Sequence, residues 1–246
     1  MVEQQPTISR QRMDVLQWTA RMGAVTAEAL ADRQRTSVAT ARSRMRAAEK
    51  RGLLSRRAPL AGRPALYTIT RAGLRASGSR GLEPARVSAA NASHLIVCAR
   101  VAAALERCYP DHSVLGEPEL RRDERECGRP LASAPLGTVR DDQPLVHRPD
   151  LVLWPPGIGA GLPVAVEVEL TVKSQRRLAG ICLAWARCRC VAGVLYLAEP
   201  GVERALARAL AHVEAGERIV VAPLAALPLA SGGPAPSNAN AVAADG

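Results

Sequence analysis

Two short apolar runs in the second half of the chain constrain its fold more than any other feature. They are Arg148-Pro149-Asp150-Leu151-Val152-Leu153-Trp154 and Val164-Ala165-Val166-Glu167-Val168-Glu169-Leu170-Thr171-Val172-Lys173. Each reads as a short strand, with carboxylates where a core-facing strand should have none. From Val164 to Thr171 the larger apolar residues fall on even numbers, and Glu167, Glu169 and Thr171 on odd ones. A strand sends alternate side chains to opposite faces, so both glutamates point the same way. Lys173 keeps that parity if the strand runs on. Asp150 starts the neighbouring run, and Pro155-Pro156-Gly157 forces the turn between the two. The pattern places three carboxylates and one lysine at one edge of a small sheet. A divalent metal and a water nucleophile need such a set for phosphodiester hydrolysis. The plain alternative is a half-exposed strand, in which charged residues also alternate with valine.

A chain of 246 residues is long enough for two domains, each with its own core. Phenylalanine is absent, so Leu, Val and Ala must build those cores. No apolar run reaches 18 residues, so no membrane span is expected. The first 30 residues lack the apolar centre of a leader peptide. With six cysteines and no leader, reduced thiols in the cytoplasm are expected.

Charge is unevenly placed. Residues 1–90 hold 17 Arg and Lys against six Asp and Glu, and residues 91–246 hold 16 against 17. A basic first third favours a polyanion, most simply nucleic acid. A bias toward Arg over Lys, 31 to 2, runs through the whole chain and does not explain the asymmetry.

Residues 8–75 read as three helices and a β-hairpin. Met13, Leu16 and Ala20 keep helical spacing, and Gly23 stops that helix. Thr26 caps a short second helix, with Val25 and Leu30 as a hydrophobic staple. Thr36 or Ser37 caps a third helix running to about Arg51. Its Val38, Ala41, Met45 and Ala48 share one face. Thr40, Ser43, Arg46 and Lys50 lie on the other, a face that suits a DNA major groove or a solvated surface. Leu53 to Arg57 and Ala65 to Ile69 form two strands around a loop carrying Arg56, Arg57 and Arg63. Tyr67, Ile69, Thr70 and Gly73 follow the pattern with which a wing strand returns in the winged helix-turn-helix, and the segment resembles that family. The resemblance implies duplex DNA as partner. The alternative is a three-helix protein-binding module.

Residues 76–92 read as a linker. The second domain, 93–223, opens with an apolar helix from Ser93 to Tyr109. Ser113 to Leu120 reads as a first strand, from which Glu117 and Glu119 either reach the acidic site or, more simply, are surface charge. Arg121 to Pro144 reads as a long loop, and His147 as a plain loop histidine. After the two organising strands come a helix from Ser174, a strand at Val191 to Leu197, another helix and a last strand. Arg176 and Arg177 can grip phosphate or simply face solvent. Residues 229–246, rich in Ser, Gly, Pro, Asn and Ala, are expected to be a disordered tail.

That order, with Pro149-Asp150 and Glu167-Val168-Glu169, resembles the PD-(D/E)xK nuclease-like fold. With the winged helix in front, the chain resembles the replication-relaxation family of plasmid and mobile-element proteins, over roughly residues 8–222. The implied fold class is α+β: a winged helix-turn-helix, then a restriction-endonuclease-like α/β domain with a small mixed central sheet. The implied activity is Mg²⁺-dependent nicking of DNA. Asp150 and Glu167 would hold the metal, Glu169 would add a ligand or act as a base, and Lys173 would orient the water. Active members carry Lys where Glu169 stands, and this departure leaves open a catalytically dead scaffold. The rival function is a transcription or copy-number regulator whose second domain only dimerises or binds partners. A homodimer and replication or transfer proteins are the implied partners. No C-x₂-C pair exists, and no histidines cluster beside Cys182, Cys188 and Cys190, so a structural zinc site is not expected. Cys98 and Cys182 read as small core residues.

Overall fold

The computed structural model describes residues 9–138, 144–157, 161–213 and 217–227. The tail expected over 229–246 lies outside them. The chain is a mixture of α and β with mixed sheets.

The front third holds α1 (Arg10–Met22), β1 (Ala24–Thr26), α2 (Ala27–Gln34), α3 (Val38–Lys50), β2 (Leu54–Arg57), β3 (Leu66–Ile69) and α4 (Arg71–Ser77). Its caps are those the sequence offers. Thr26 accepts from Ala29 N, Ser37 from Thr40 N and Thr70 from Gly73 N, each satisfying an amide the helix leaves unpaired. Val25 and Leu30 are both buried, as a staple requires. On α3, Ala41, Met45 and Ala48 are buried. The three strands form one antiparallel sheet in the order β1-β3-β2. Strand β1 is unexpected, since three residues are too few to show a period. Gly73 is required by contact: a methyl there would collide with the Leu53 carbonyl oxygen and lie 2.7 Å from Ile69 Cγ1.

The second part comprises α5 (Ala89–Cys108), β4 (Ser113–Gly116), α6 (Glu117–Cys127), β5 (Ala134–Thr138), β6 (Pro144–His147), β7 (Leu151–Trp154), β8 (Val164–Glu169), α7 (Gln175–Arg187), β9 (Gly193–Ala198), α8 (Pro200–Val213) and β10 (Ile219–Pro223). Three expectations need correction here. Helix α5 begins at Ala89, four residues before the expected start, because Ser88 and Asn91 form a capping box. The first strand ends at Gly116, and Glu117 and Glu119 open a helix instead, with Pro118 in its first turn. Arg121 to Pro144 is no single loop: it holds the rest of α6, all of β5 and the start of β6.

A five-stranded sheet runs β10-β9-β8-β7-β4. The pairs β4–β7 and β7–β8 are antiparallel, while β8–β9 and β9–β10 are parallel. Val166, Val168, Leu151 and Leu197 point into an apolar cluster with α5, and Val152, Ala165, Val194 and Tyr196 into a second one with α7 and α8. The first cluster continues without a break into Leu16, Trp18, Leu30 and Met45 of the front third. Helix α5 thus packs on the sheet and also on α2 and β1. Between α4 and α5, Leu82 is buried in the same cluster.

Candidate functional site

Two regions carry the residues singled out from the sequence. The first is the basic surface of the front third. Ser43, Arg46 and Lys50 of α3 are exposed, as are Arg56, Arg57 and Arg63 on and beside the β2–β3 loop. Thr40 is half-buried, its hydroxyl 2.8 Å from that of Ser37. The other arginines of α3 are engaged: Arg42 pairs with Glu28, and Arg44 donates to Gln34. Among the described residues, Arg46, Lys50, Arg56, Arg57 and Arg63 enter no ion pair.

The second region lies at the carboxyl end of β8. Register pairs Glu167 with Tyr196, so both face α7 and α8. Glu167 is 3% exposed and Glu169 6%. An ionised carboxylate this deep must be partnered, and each one is. Glu167 Oε1 lies 2.6 Å from His147 Nε2 and accepts from Trp185 Nε1 at 3.1 Å. Glu169 Oε1 pairs with the Lys173 ammonium, and its Oε2 is buried with no partner. Strand β8 stops at Glu169, so Lys173 reaches back from the segment before α7. Asp150 stands just ahead of β7. Its Oδ2 accepts from Val168 N at 2.8 Å, and its Oδ1 lies 2.8 Å from His94 Nε2 of α5.

Burial pushes the Glu167 carboxyl above its ordinary range, and His147 draws it part of the way back. Burial works against a charge on His147, but the hydrogen bond to Glu167 and its negative charge outweigh that and raise the imidazole's pKa. The hydrogen bond to Asp150 raises His94 likewise, against its own burial.

The structure therefore brings Asp150, Glu167, Glu169 and Lys173 to one end of the sheet without gathering the carboxylates into a single ligand cluster. Among the described residues, the one group of three or more possible metal ligands lying within 4.8 Å of one another is His94, Cys98 and Asp150. Mg²⁺ demands near-octahedral oxygen ligation at about 2.0–2.1 Å. Asp150, Glu167 and Glu169 do not come together as such an oxygen set, so the three carboxylates as placed do not fit that ion.

Sequence reading missed His147, Trp185 and His94. His147 is no plain loop histidine: it ends β6 and packs edge-on against Trp185, ring centres 5.7 Å apart. The signal for His94 was present, since it stands four residues before Cys98 on one helix. Cys98 is only half-buried, and its thiol is pushed up, first by burial and then by the nearby carboxylates. Cys182 is buried among apolar residues of α7 and its surroundings. Cys188 and Cys190 lie with their Sγ atoms 2.9 Å apart, and the hydrogen bond from Cys190 lowers Cys188 to about 6.

A cavity of about 410 Å³ opens between α5, α6 and the segment ahead of α5; Arg86, His94, Cys98, Arg121 and Asp150 contribute to its wall. A shallower hollow of about 380 Å³ beside His147 is lined by Ser174, Arg176 and Arg177, both arginines being exposed. No helix among the described residues is long and apolar enough to cross a membrane. Comparison of the chain with protein-family models, with characterised proteins and with solved structures returned no match.

Proposed function

We propose that the chain is a duplex-DNA-binding protein of the replication-relaxation type, with a winged helix over residues 8–75 and a nuclease-like domain over 93–223. One observation carries the reading: Arg46, Lys50, Arg56, Arg57 and Arg63 are exposed and free of ion pairs among the described residues, while neighbouring Arg42 and Arg44 are engaged. Cations without protein partners are available to displace counterions from DNA phosphates. In this reading α3 enters the major groove through Ser43, Arg46 and Lys50, with Thr40 steadying its first turn. The arginines of the β2–β3 loop then lie on the backbone.

For the nuclease-like domain, the partners already held by Asp150, Glu167 and Glu169 favour the regulator reading, in which it dimerises or binds replication or transfer proteins. Nicking with Mg²⁺ is the competing reading, supported by the common location of Asp150, Glu167 and Lys173. Fluorescence anisotropy with a labelled duplex tests docking, and supercoiled plasmid with Mg²⁺, beside an Asp150→Ala control, tests cleavage. Binding that weakens steeply with salt and no nicking supports the regulator. Nicking lost in the control supports the nuclease. No affinity at low salt removes both.

A further inference from the structure

We propose that His94, Cys98 and Asp150 form a mononuclear Zn²⁺ site that opens onto the cavity beside α5. The proposal is independent of DNA docking. His94 and Cys98 are four residues apart on α5, so their side chains stack on one face of the helix. Asp150 meets them from the turn ahead of β7. His94 Nε2 lies 2.8 Å from Asp150 Oδ1 and 3.3 Å from Cys98 Sγ, and the three donor atoms lie within 4.8 Å of one another. Tetrahedral Zn²⁺ has bonds of about 2.0–2.2 Å to nitrogen and oxygen and about 2.3 Å to sulfur. Those bonds set neighbouring donors roughly 3.3–3.6 Å apart. The His94–Asp150 separation therefore needs to open by about half an ångström and the His94–Cys98 separation by a few tenths, with Cys98 and Asp150 already within 4.8 Å.

The donor set selects the metal. Imidazole and thiolate suit Zn²⁺, while Mg²⁺ and Ca²⁺ take oxygen. The site is also braced from behind. Val168 N donates to the second Asp150 oxygen at 2.8 Å, fixing the carboxylate as outer contacts do around bound metals. Three protein ligands leave a fourth position, and all three residues line the cavity of about 410 Å³. The ligands thus border open space, which leaves room at that position for a water or a substrate, unlike in closed structural zinc sites. Loading moves the proton that His94 Nε2 shares with Asp150, and the Cys98 thiol proton, to solvent and leaves His94 neutral with its one proton on Nδ1, so that Nε2 and Sγ can each give a lone pair to the ion.

The test uses the whole chain, stripped with chelator and titrated with Co²⁺ as a spectroscopic stand-in, then with Zn²⁺. The expected result is one equivalent bound, with a thiolate-to-cobalt charge-transfer band that Zn²⁺ abolishes. The band should vanish in Cys98→Ser and persist in the Cys188→Ser, Cys190→Ser double variant. Asp150→Asn should weaken Zn²⁺ binding by about tenfold or more. X-ray absorption of the Zn²⁺-loaded unmodified chain gives a readout free of any variant's folding, and one sulfur with nitrogen and oxygen neighbours is expected. Absence of a stoichiometric ion, a band that survives Cys98→Ser, or two sulfurs in the first shell would each overturn the site.

Discussion

Arg33 of α2 donates through Nε to Glu106 of α5 at 2.5 Å, across the seam between the front third and the rest of the chain. Its two terminal nitrogens grip Asp14 of α1 at 2.7 and 2.9 Å. Trp18, beneath the guanidinium at 5.3 Å, donates its Nε1 to the same Glu106 at 2.9 Å. Arg33 and Glu106 are largely enclosed, with 16% and 19% of their side chains exposed. Removing Arg33 takes the direct counterion from Glu106, which keeps the longer contact to Arg21 at 3.8 Å, and from Asp14 as well. Arg33→Ala should therefore lower stability by about 2–4 kcal/mol, toward the cost of breaking a buried pair. Urea unfolding followed by circular dichroism measures it, and a loss below about 0.5 kcal/mol, typical of a surface pair, would contradict the enclosed network.

His147 and Glu167 set a pH dependence. The folded-state pKa of His147 lies above its ordinary 6.5, so the folded chain holds that proton more tightly than the unfolded one. The contribution of the His147 proton is then full below 6.5 and is lost as pH rises through the folded value. The urea midpoint should fall as pH rises past 6.5, and His147→Gln should remove part of that fall, the rest belonging to His94, whose imidazole is raised likewise. A midpoint that rises over the same interval would refute the assignment.

Gly73→Ala pits two effects against each other. Alanine in a helix gains up to about 1 kcal/mol over glycine. The added methyl, however, meets the backbone oxygen of Leu53, which no rotamer can move aside. We expect the collision to win and stability to drop by about 1–3 kcal/mol. Gly78→Ala, at a helix end with nothing within 4 Å but a φ of +67°, separates backbone strain from collision.

Phosphate contacts are counted by salt. If Arg56, Arg57 and Arg63 lie on the backbone of a duplex, each replacement by alanine should lower the slope of log K against log salt by about 1, with similar losses on unrelated sequences. A variant that changes affinity at one sequence only would instead mark a base contact.

Much of the front third was legible because its signals are local. Ser37 as a cap and the spacing of Val38, Ala41, Met45 and Ala48 are enough to place α3. The parity of Glu167 and Glu169 was legible for the same reason. Helix α6 was not. Leu120 is its one buried apolar side chain, and the other buried residue is Glu124. Amides of Leu131 and Ala132 and the Arg148 guanidinium satisfy that carboxylate. A helix anchored by a carboxylate has no hydrophobic period to read. The partners of the acids were hidden for another reason. His94, His147 and Trp185 lie 56, 20 and 18 residues from the carboxylates they bind, so only the folded sheet brings them near.

Helix α5 is shared by both halves: Ala92 and Ile96 on its first turns close over Ala24 and Leu66 of the front sheet, while Val97 and Val101 belong to the cluster that reaches β8. A fragment ending before Ala89 would leave Ala24 and Leu66 bare and strand the indole of Trp18 without its acceptor, making a sticky stub in place of a portable module.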